Sequence, residues 1–286
     1  YSNTAISEMS ANVNLALQIA RNLDRYLLSQ DNSNVWANTE STKQNYHSDF
    51  YRPYKQSLTM TQIGVANNVN DNVRVGAVLS HSRANNTFAE NVSGKNRLTA
   101  LSTYVKGNWN NGVFASLDLG YGRSRNTIDF DGKNNVFHRS LFSAGVNAGI
   151  QWDWGVNVQP SIGVRYNRLS KANYHLAEAK VESKALNLMT YRAGLALSKT
   201  FDVAGVKLTP SLASYYNDAT QRKMAVNGAL SVNNIGMQQQ FGRYFNHEAG
   251  LAAQFNQWQV SAQVGMLKGS DITTQKYAAF KLGYTW

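Results

Sequence analysis

The sequence predicts an all-β fold, a 12-stranded antiparallel transmembrane β-barrel with an N-terminal α-helix in the pore, and three observations carry the prediction. Tight-turn signals recur along the chain. Apolar and polar residues alternate between them. The six tryptophans gather beside the turns or at the strand ends level with them.

Composition sets the outer limits. There are no cysteines, which removes disulfide frameworks and thiolate metal sites, and only 16% of residues are charged. Mean hydropathy is −0.41, and no apolar run reaches the ~18 residues a membrane helix needs. A helical membrane protein is therefore excluded, but a β-barrel, which crosses with short alternating strands, is not. The net charge is +11, from 28 Lys and Arg against 17 Asp and Glu, yet the basic residues are scattered and form no arm or helix of the kind that grips nucleic acid. Basic side chains inside a pore, or meeting the phosphates of outer-membrane lipid, account for the excess. No signal peptide precedes Tyr1, so an upstream part of the protein is expected.

The first element is a helix over Ala5 to about Ser29, where Ile6, Met9, Val13, Leu17, Ala20, Leu23 and Leu27 recur every three or four residues. Ser2 to Thr4 are its candidate caps and Asp31 to Asn34 its stop. The opposite face carries Asn12, Asn14, Gln18, Arg21 and Asn22. At ~1.5 Å per residue the helix is long enough to cross a barrel from end to end. The alternatives are a helix packed on a soluble sheet or lying on the membrane; a position in the pore fits better because the helix leads directly into the first strand.

Tight turns are expected at Asn70-Asp71, Asn110 to Gly112, Asp153 to Gly155, Asp202 to Gly205 and Asn256-Gln257. Their spacing leaves room for two membrane strands and a longer opposite loop each time, and five such hairpins plus a first and a last strand make twelve. Between Val113 and Tyr121 the odd positions are Val, Ala, Leu, Leu and Tyr, and the even ones Phe, Ser, Asp and Gly. Val156 to Asn167 and Trp258 to Leu267 alternate in the same way. Leu58 to Val69 is least regular, with Leu58 and Met60 on the unexpected face.

Longer loops are expected over 42–52, 83–97, 126–139, 168–180, 219–236 and 268–274. Trp36, Trp109, Trp152, Trp154, Trp258 and Trp286 map to the short-turn rim, where indoles settle at a membrane interface. Tyr121, Tyr166 and Tyr216 map toward the other rim. Gly205 to Leu212 echoes Gly155 to Ile162, with Pro five residues beyond the turn glycine, where its missing N–H must meet a bulge or a strand start. The final strand alternates Ala278, Phe280, Leu282, Tyr284 and Trp286 on one face with Tyr277, Ala279, Lys281, Gly283 and Thr285 on the other.

Inward positions collect Arg74, Lys106, Asp118, Arg165, Arg192, Lys207, Glu248 and Lys281, a mainly basic lining suited to hold the helix through Glu8 and Asp24, to keep a wet path for an unfolded chain, or simply to solvate the lumen. The five histidines, His47, His81, His138, His175 and His247, lack ligand spacing, and no Gly-x-Ser-x-Gly elbow occurs. No metal, cofactor or catalytic residue is expected.

A helix followed by twelve amphipathic strands and a terminal aromatic residue resembles the C-terminal translocator domain of autotransporters, most of all the immunoglobulin A protease type, over essentially the whole chain. The resemblance implies one domain over 1–286, with 1–33 as pore helix and linker and 34–286 as the barrel, in the outer membrane of a Gram-negative bacterium. It implies a translocator that anchors and helps export its own N-terminal passenger, as type V secretion does, and is no enzyme itself. Phe280, Leu282, Tyr284 and Trp286 would be the signal read by the barrel-assembly machinery, with Trp286 standing where Phe is commoner. Outer-membrane lipid and lipopolysaccharide are the other expected partners of a monomer. Related serine-protease autotransporters cleave themselves at an Asn-Asn pair in the pore helix; here Asn12 and Asn14 are not adjacent and Asn22 is alone, so no self-cleavage is expected. Alternatives are a self-contained outer-membrane channel or adhesin barrel, and a membrane-embedded hydrolase.

Overall fold

In the computed structural model the backbone is described for all residues except 1, 49–50, 89–91, 131, 177–178, 221–222, 231–232, 241–242 and 270–273. Side chains are further left out over 2–7, 44–48, 51–55, 88, 176, 223–230 and 233–240. Helix α1 (Ser2–Leu28) opens the chain. Ser2 to Thr4 lie within the helix, so they are not caps before it.

Twelve strands follow and close a barrel: β1 (Val35–Ser48), β2 (Tyr51–Asn68), β3 (Val73–Phe88), β4 (Val92–Asn108), β5 (Val113–Phe130), β6 (Lys133–Ile150), β7 (Asn157–Leu169), β8 (Leu186–Ser198), β9 (Val206–Ala219), β10 (Tyr244–Phe255), β11 (Trp258–Lys268) and β12 (Gln275–Tyr284). Each pairs antiparallel with its sequence neighbours, and β1 closes the ring on β12 with Val35 opposite Tyr284 and Thr39 opposite Phe280. Closure leaves no edge strand, the condition for a sheet in hydrocarbon.

The expected turns join β2–β3, β4–β5, β6–β7, β8–β9 and β10–β11 on one rim. Gly155 and Gly205 take φ of 82° and 83°, a left-handed conformation open to glycine at little cost, which is why both repeats need it there. Pro160 and Pro210 interrupt the ladder. Pairing of β6 with β7 ends at Gly149–Ser161 and resumes at Trp152–Val158, and pairing of β8 with β9 ends at Ser198–Ser211 and resumes at Phe201–Leu208. The imide nitrogen has no proton to donate, so each proline cuts a short ribbon, Trp152–Asp153 or Phe201–Val203, from the strand above it.

The opposite rim departs from expectation. Residues 42–52, 83–97 and 126–139 are largely strand, because β1 through β6 run well beyond the apolar belt. Asparagine argues against strand when read alone. Here the inward amides form a ladder across four strands, Gln56 to Asn86 at 2.7 Å, Asn86 to Asn96 at 2.8 Å and Asn96 to Asn126 at 2.6 Å, which offsets the poor propensity. Residues 168–180 and 219–236 also contain strand. Hairpins Ala172–Leu176 with Ala179–Ser183, and Lys223–Leu230 with Asn233–Gln240, join into a four-stranded sheet, and the second hairpin approaches α1.

Leu58 and Met60 face the lumen. Their phase is that of Gln56 and Gln62, and both are fully buried against α1 together with Met9, Val13 and Leu98. An apolar residue on the inner face is correct when the pore holds a helix. Trp36 is likewise a correction: it lies near the short-turn rim but points inward at 2% exposure, whereas the other five tryptophans are exposed.

The helix-filled pore as candidate functional site

From Glu8 onward the helix is enclosed over most of its surface, with Leu17, Arg21, Asp24 and Arg25 forming a half-buried stripe. Asn12, Gln18 and Asn22 of its polar stripe are as enclosed as Met9 and Val13. A barrel lumen offers polar and apolar walls at different heights, so most of the helix surface meets protein rather than water.

All four charged residues of α1 pair with the wall. Glu8 meets Arg139 at 2.9 Å, Arg21 meets Glu40 at 2.7 Å, and Arg25 meets Glu248 at 2.7 Å. Asp24 is held by Arg165 at 2.9 Å and Arg192 at 3.2 Å, and Arg165 also grips Asp118 at 2.7 Å. Asn22 donates to Glu40 as well, and Arg21 stacks over Tyr277, whose hydroxyl donates to Glu248 at 2.8 Å. Buried pairs of this kind add little net stability compared with apolar packing, but they penalise any other depth or rotation of the helix. Toward the long-strand rim, Asn12 donates to Asn126 at 2.8 Å and Asn14 to Gln56 at 3.1 Å, so the helix plugs into both ends of the amide ladder. Tyr174, from the first outer hairpin, stacks on Phe137 at 4.1 Å and reaches Glu8 at 3.4 Å.

At the short-turn end, the carbonyls at and just past the end of the helix meet donors: Gln159 donates to Leu28 O at 2.9 Å and Lys106 to Ser29 O at 2.6 Å. Arg74 donates to the carbonyls of Asn32 and Ser33, and Lys281 pairs with Asp31 at 2.5 Å. These cations suit the negative end of the helix dipole. Trp36 stacks on Tyr26 at 4.4 Å, and the Tyr104 hydroxyl donates to that of Tyr26 at 3.1 Å. Replacing Trp36→Ala should cost about 3–5 kcal/mol of unfolding free energy through the cavity left behind. Urea titration of the refolded barrel checks this, and a cost under ~1 kcal/mol would mean the indole is not part of the packed plug.

Of the other residues singled out from sequence, Ile6 lies on α1 with its side chain outside those described. Leu17 is partly buried beside the wall. Lys207 lines a vestibule of 440 Å³ with Thr209, Ser211, Gln254 and Ser261, open beside the helix because α1 packs closest to β2 through β6 and reaches the β8–β12 wall through long side chains such as Arg25. A second, smaller cavity of about 70 Å³ lies between Asp24, Arg25, Arg192 and Glu248. Phe280, Leu282, Tyr284 and Trp286 lie on the outer surface of the barrel or at its rim, with Phe280 at 59% exposure and Trp286 at 65%. His81 bonds Thr99 at 2.9 Å and His247 bonds Ser214 at 2.7 Å, both outside the lumen, and no metal-holding cluster occurs among the described residues.

Sequence reasoning missed Glu40, Arg139 and Tyr277. Glu40 shares the inward phase of Trp36 and Asn38, which was a usable signal. Arg139 was hidden because 126–139 read as a loop.

This is an outer-membrane β-barrel whose pore is filled by its own N-terminal helix. Residues 35–265 match the family described as Autotransporter beta-domain, and the chain belongs to that family. It is 35% identical over 288 residues to the adhesion and penetration protein autotransporter of Haemophilus influenzae, covering 100% of this chain and 20% of that protein. It is 31% identical over 260 residues to an immunoglobulin A1 protease autotransporter of the same species, covering 88% of this chain and 13% of the relative. The chain thus spans about a fifth or less of these relatives. Among solved structures, the translocator domain of autotransporter NalP from Neisseria meningitidis superposes with a TM-score of 0.75 at 14% identity, covering 98% of both chains. The beta domain of the Bordetella autotransporter BrkA gives 0.70 at 17% identity, covering 90% of this chain and 100% of that one. These two likenesses concern the fold.

Proposed function

We propose that this single domain, with 1–33 as pore helix and linker and 34–286 as barrel, anchors a passenger joined ahead of α1 and provides its route to the cell surface. The observation that carries the reading is the direction of the helix. Leu28 lies among the short turns, while Glu8, Asn12 and Asn14 bond residues of the long-strand rim, so chain extending N-terminally from Ser2 leaves on the side of the long strands and hairpins. In an outer membrane that side faces outward. The barrel itself does no bond chemistry in this reading, and its charged residues serve to seat the helix. The lumen-facing Arg165, Arg192, Glu248, Lys106, Arg74 and Lys281, with Asp118 behind Arg165, fix its depth and rotation.

The barrel-assembly machinery is the proposed partner during insertion, reading Phe280, Leu282, Tyr284 and Trp286 on β12. A reporter fused ahead of Tyr1 tests both parts in whole cells. The intact fusion should be cleaved by protease added outside, while Phe280→Ser with Trp286→Ser should lower the amount of heat-modifiable, folded barrel several-fold with the reporter then retained inside. Surface exposure of the barrel with the reporter held on the inner side would favour a self-contained channel instead.

A further inference from the structure

The outward face of β3 to β6 stacks side chains in horizontal rows set by register. Leu79, Leu101, Tyr121 and Phe142 oppose one another in one exposed row. Two rows higher, toward the long-strand rim, Arg83 faces Arg97, Arg97 faces Arg125, and Arg125 faces His138. All four are exposed. Arg123 flanks them below and Lys95 above. Rows two residues apart are separated by ~7 Å and neighbouring strands by ~4.8 Å, so this is one compact cationic patch immediately above the apolar belt.

Directly opposed like charges destabilise a sheet, and none of these arginines has a carboxylate within ion-pair distance among the described residues. The nearest acid along β5, Asp129, accepts from Gly132 N at 3.0 Å in its own turn. The lumen cations, by contrast, nearly all have partners. A row of unpaired guanidinium groups at the height of a lipid headgroup, each able to bind phosphate through two parallel hydrogen bonds, is complementary to a phosphorylated lipid. We infer that Arg83, Arg97 and Arg125 form a binding site for the phosphorylated sugar headgroup of an outer-leaflet glycolipid, whose acyl chains lie along Leu79, Leu101, Tyr121 and Phe142. This places part of the excess positive charge of the chain at a definite lipid contact. It rests on the outer-membrane orientation and not on export of a passenger.

The test is binding of purified bis-phosphorylated lipid A, and of the same lipid dephosphorylated, to the full folded chain in detergent. The variant R83Q/R97Q/R125Q should lose about a hundredfold in affinity for the phosphorylated lipid, as each basic residue near a charged membrane surface contributes about fivefold. Dephosphorylated lipid should bind wild type no better than the phosphorylated lipid binds the variant. R83K/R97K/R125K should recover part of the affinity, and K268Q/K276Q on the other wall should change little. Because the three side chains are exposed and mutually repulsive, the glutamine variant should remain heat-modifiable, and its reporter should still reach the surface. Equal binding of both lipids, or equal affinity in the glutamine variant, overturns the site. Binding of polyglutamate without binding of lipid A would also overturn it, in favour of an acidic polypeptide partner.

Discussion

A chain beginning at Asn34 should conduct roughly five to ten times more than the intact chain in planar bilayers, because the ~10 Å cylinder that α1 occupies becomes water. In the intact protein the cavity between Asp24, Arg25, Arg192 and Glu248 holds only about 70 Å³, so only small, brief conductance is expected. The truncated pore should also prefer anions. Removing α1 takes the helix carboxylates from Arg139, Arg165 and Arg192, which join Arg74, Lys106, Lys207 and Lys281 on a wall whose described carboxylates include Glu40, Asp118 and Glu248, with Arg165 still held by Asp118. A focused positive potential raises the local anion concentration. Equal conductance before and after truncation would show that the helix does not obstruct the pore, and the export route proposed above would lose its structural basis.

The second large effect is expected at Arg165. This guanidinium bridges Asp24 on the helix and Asp118 on the wall, so Arg165→Met removes one cation and leaves Asp118 buried at 1% exposure with its ion-pair partner gone. Breaking a buried pair from one side costs about 3–5 kcal/mol. Unfolding by urea in lipid vesicles should register a loss of that size, and the intact-chain conductance should become noisier as Asp24 keeps Arg192 and the Asn147 amide but loses one of its two cations. Arg165→Met combined with Asp118→Leu should regain most of the loss, since exchanging a buried pair for apolar groups is close to neutral. A single-variant cost below ~1 kcal/mol would mean that water reaches the pair and that it does not fix the helix.

Much of this architecture is legible in the linear chain because it follows local rules. Glycine and asparagine at 112, 155, 205 and 256 mark turns that require positive φ. The alternation from Val113 to Tyr121 follows from a strand with lipid on one side. Tyr121, Tyr166 and Tyr216 could be assigned toward the outer rim once strand direction was known. Errors arose where the lumen was treated as simply polar. Leu58, Met60 and Trp36 broke the expected pattern because a helix, not water, fills the pore at their heights. The outer extensions of β1 to β6 look like loops in the linear chain because asparagine has poor strand propensity, and only neighbouring strands make Asn86, Asn96 and Asn126 a ladder.

By itself, then, the sequence determined the number of barrel strands, the turn positions, the existence and length of the helix, and the faces of most strands, because period and turn chemistry act over a few residues. Only the tertiary structure decided which wall group each helix charge meets. Glu8 and Arg139 are 131 residues apart, and Arg25 and Glu248 are 223. Pairing across such separations is set by barrel register and closure, which also brought Arg83, Arg97 and Arg125 into one row. A register is a property of two strands at once, and no single strand encodes it.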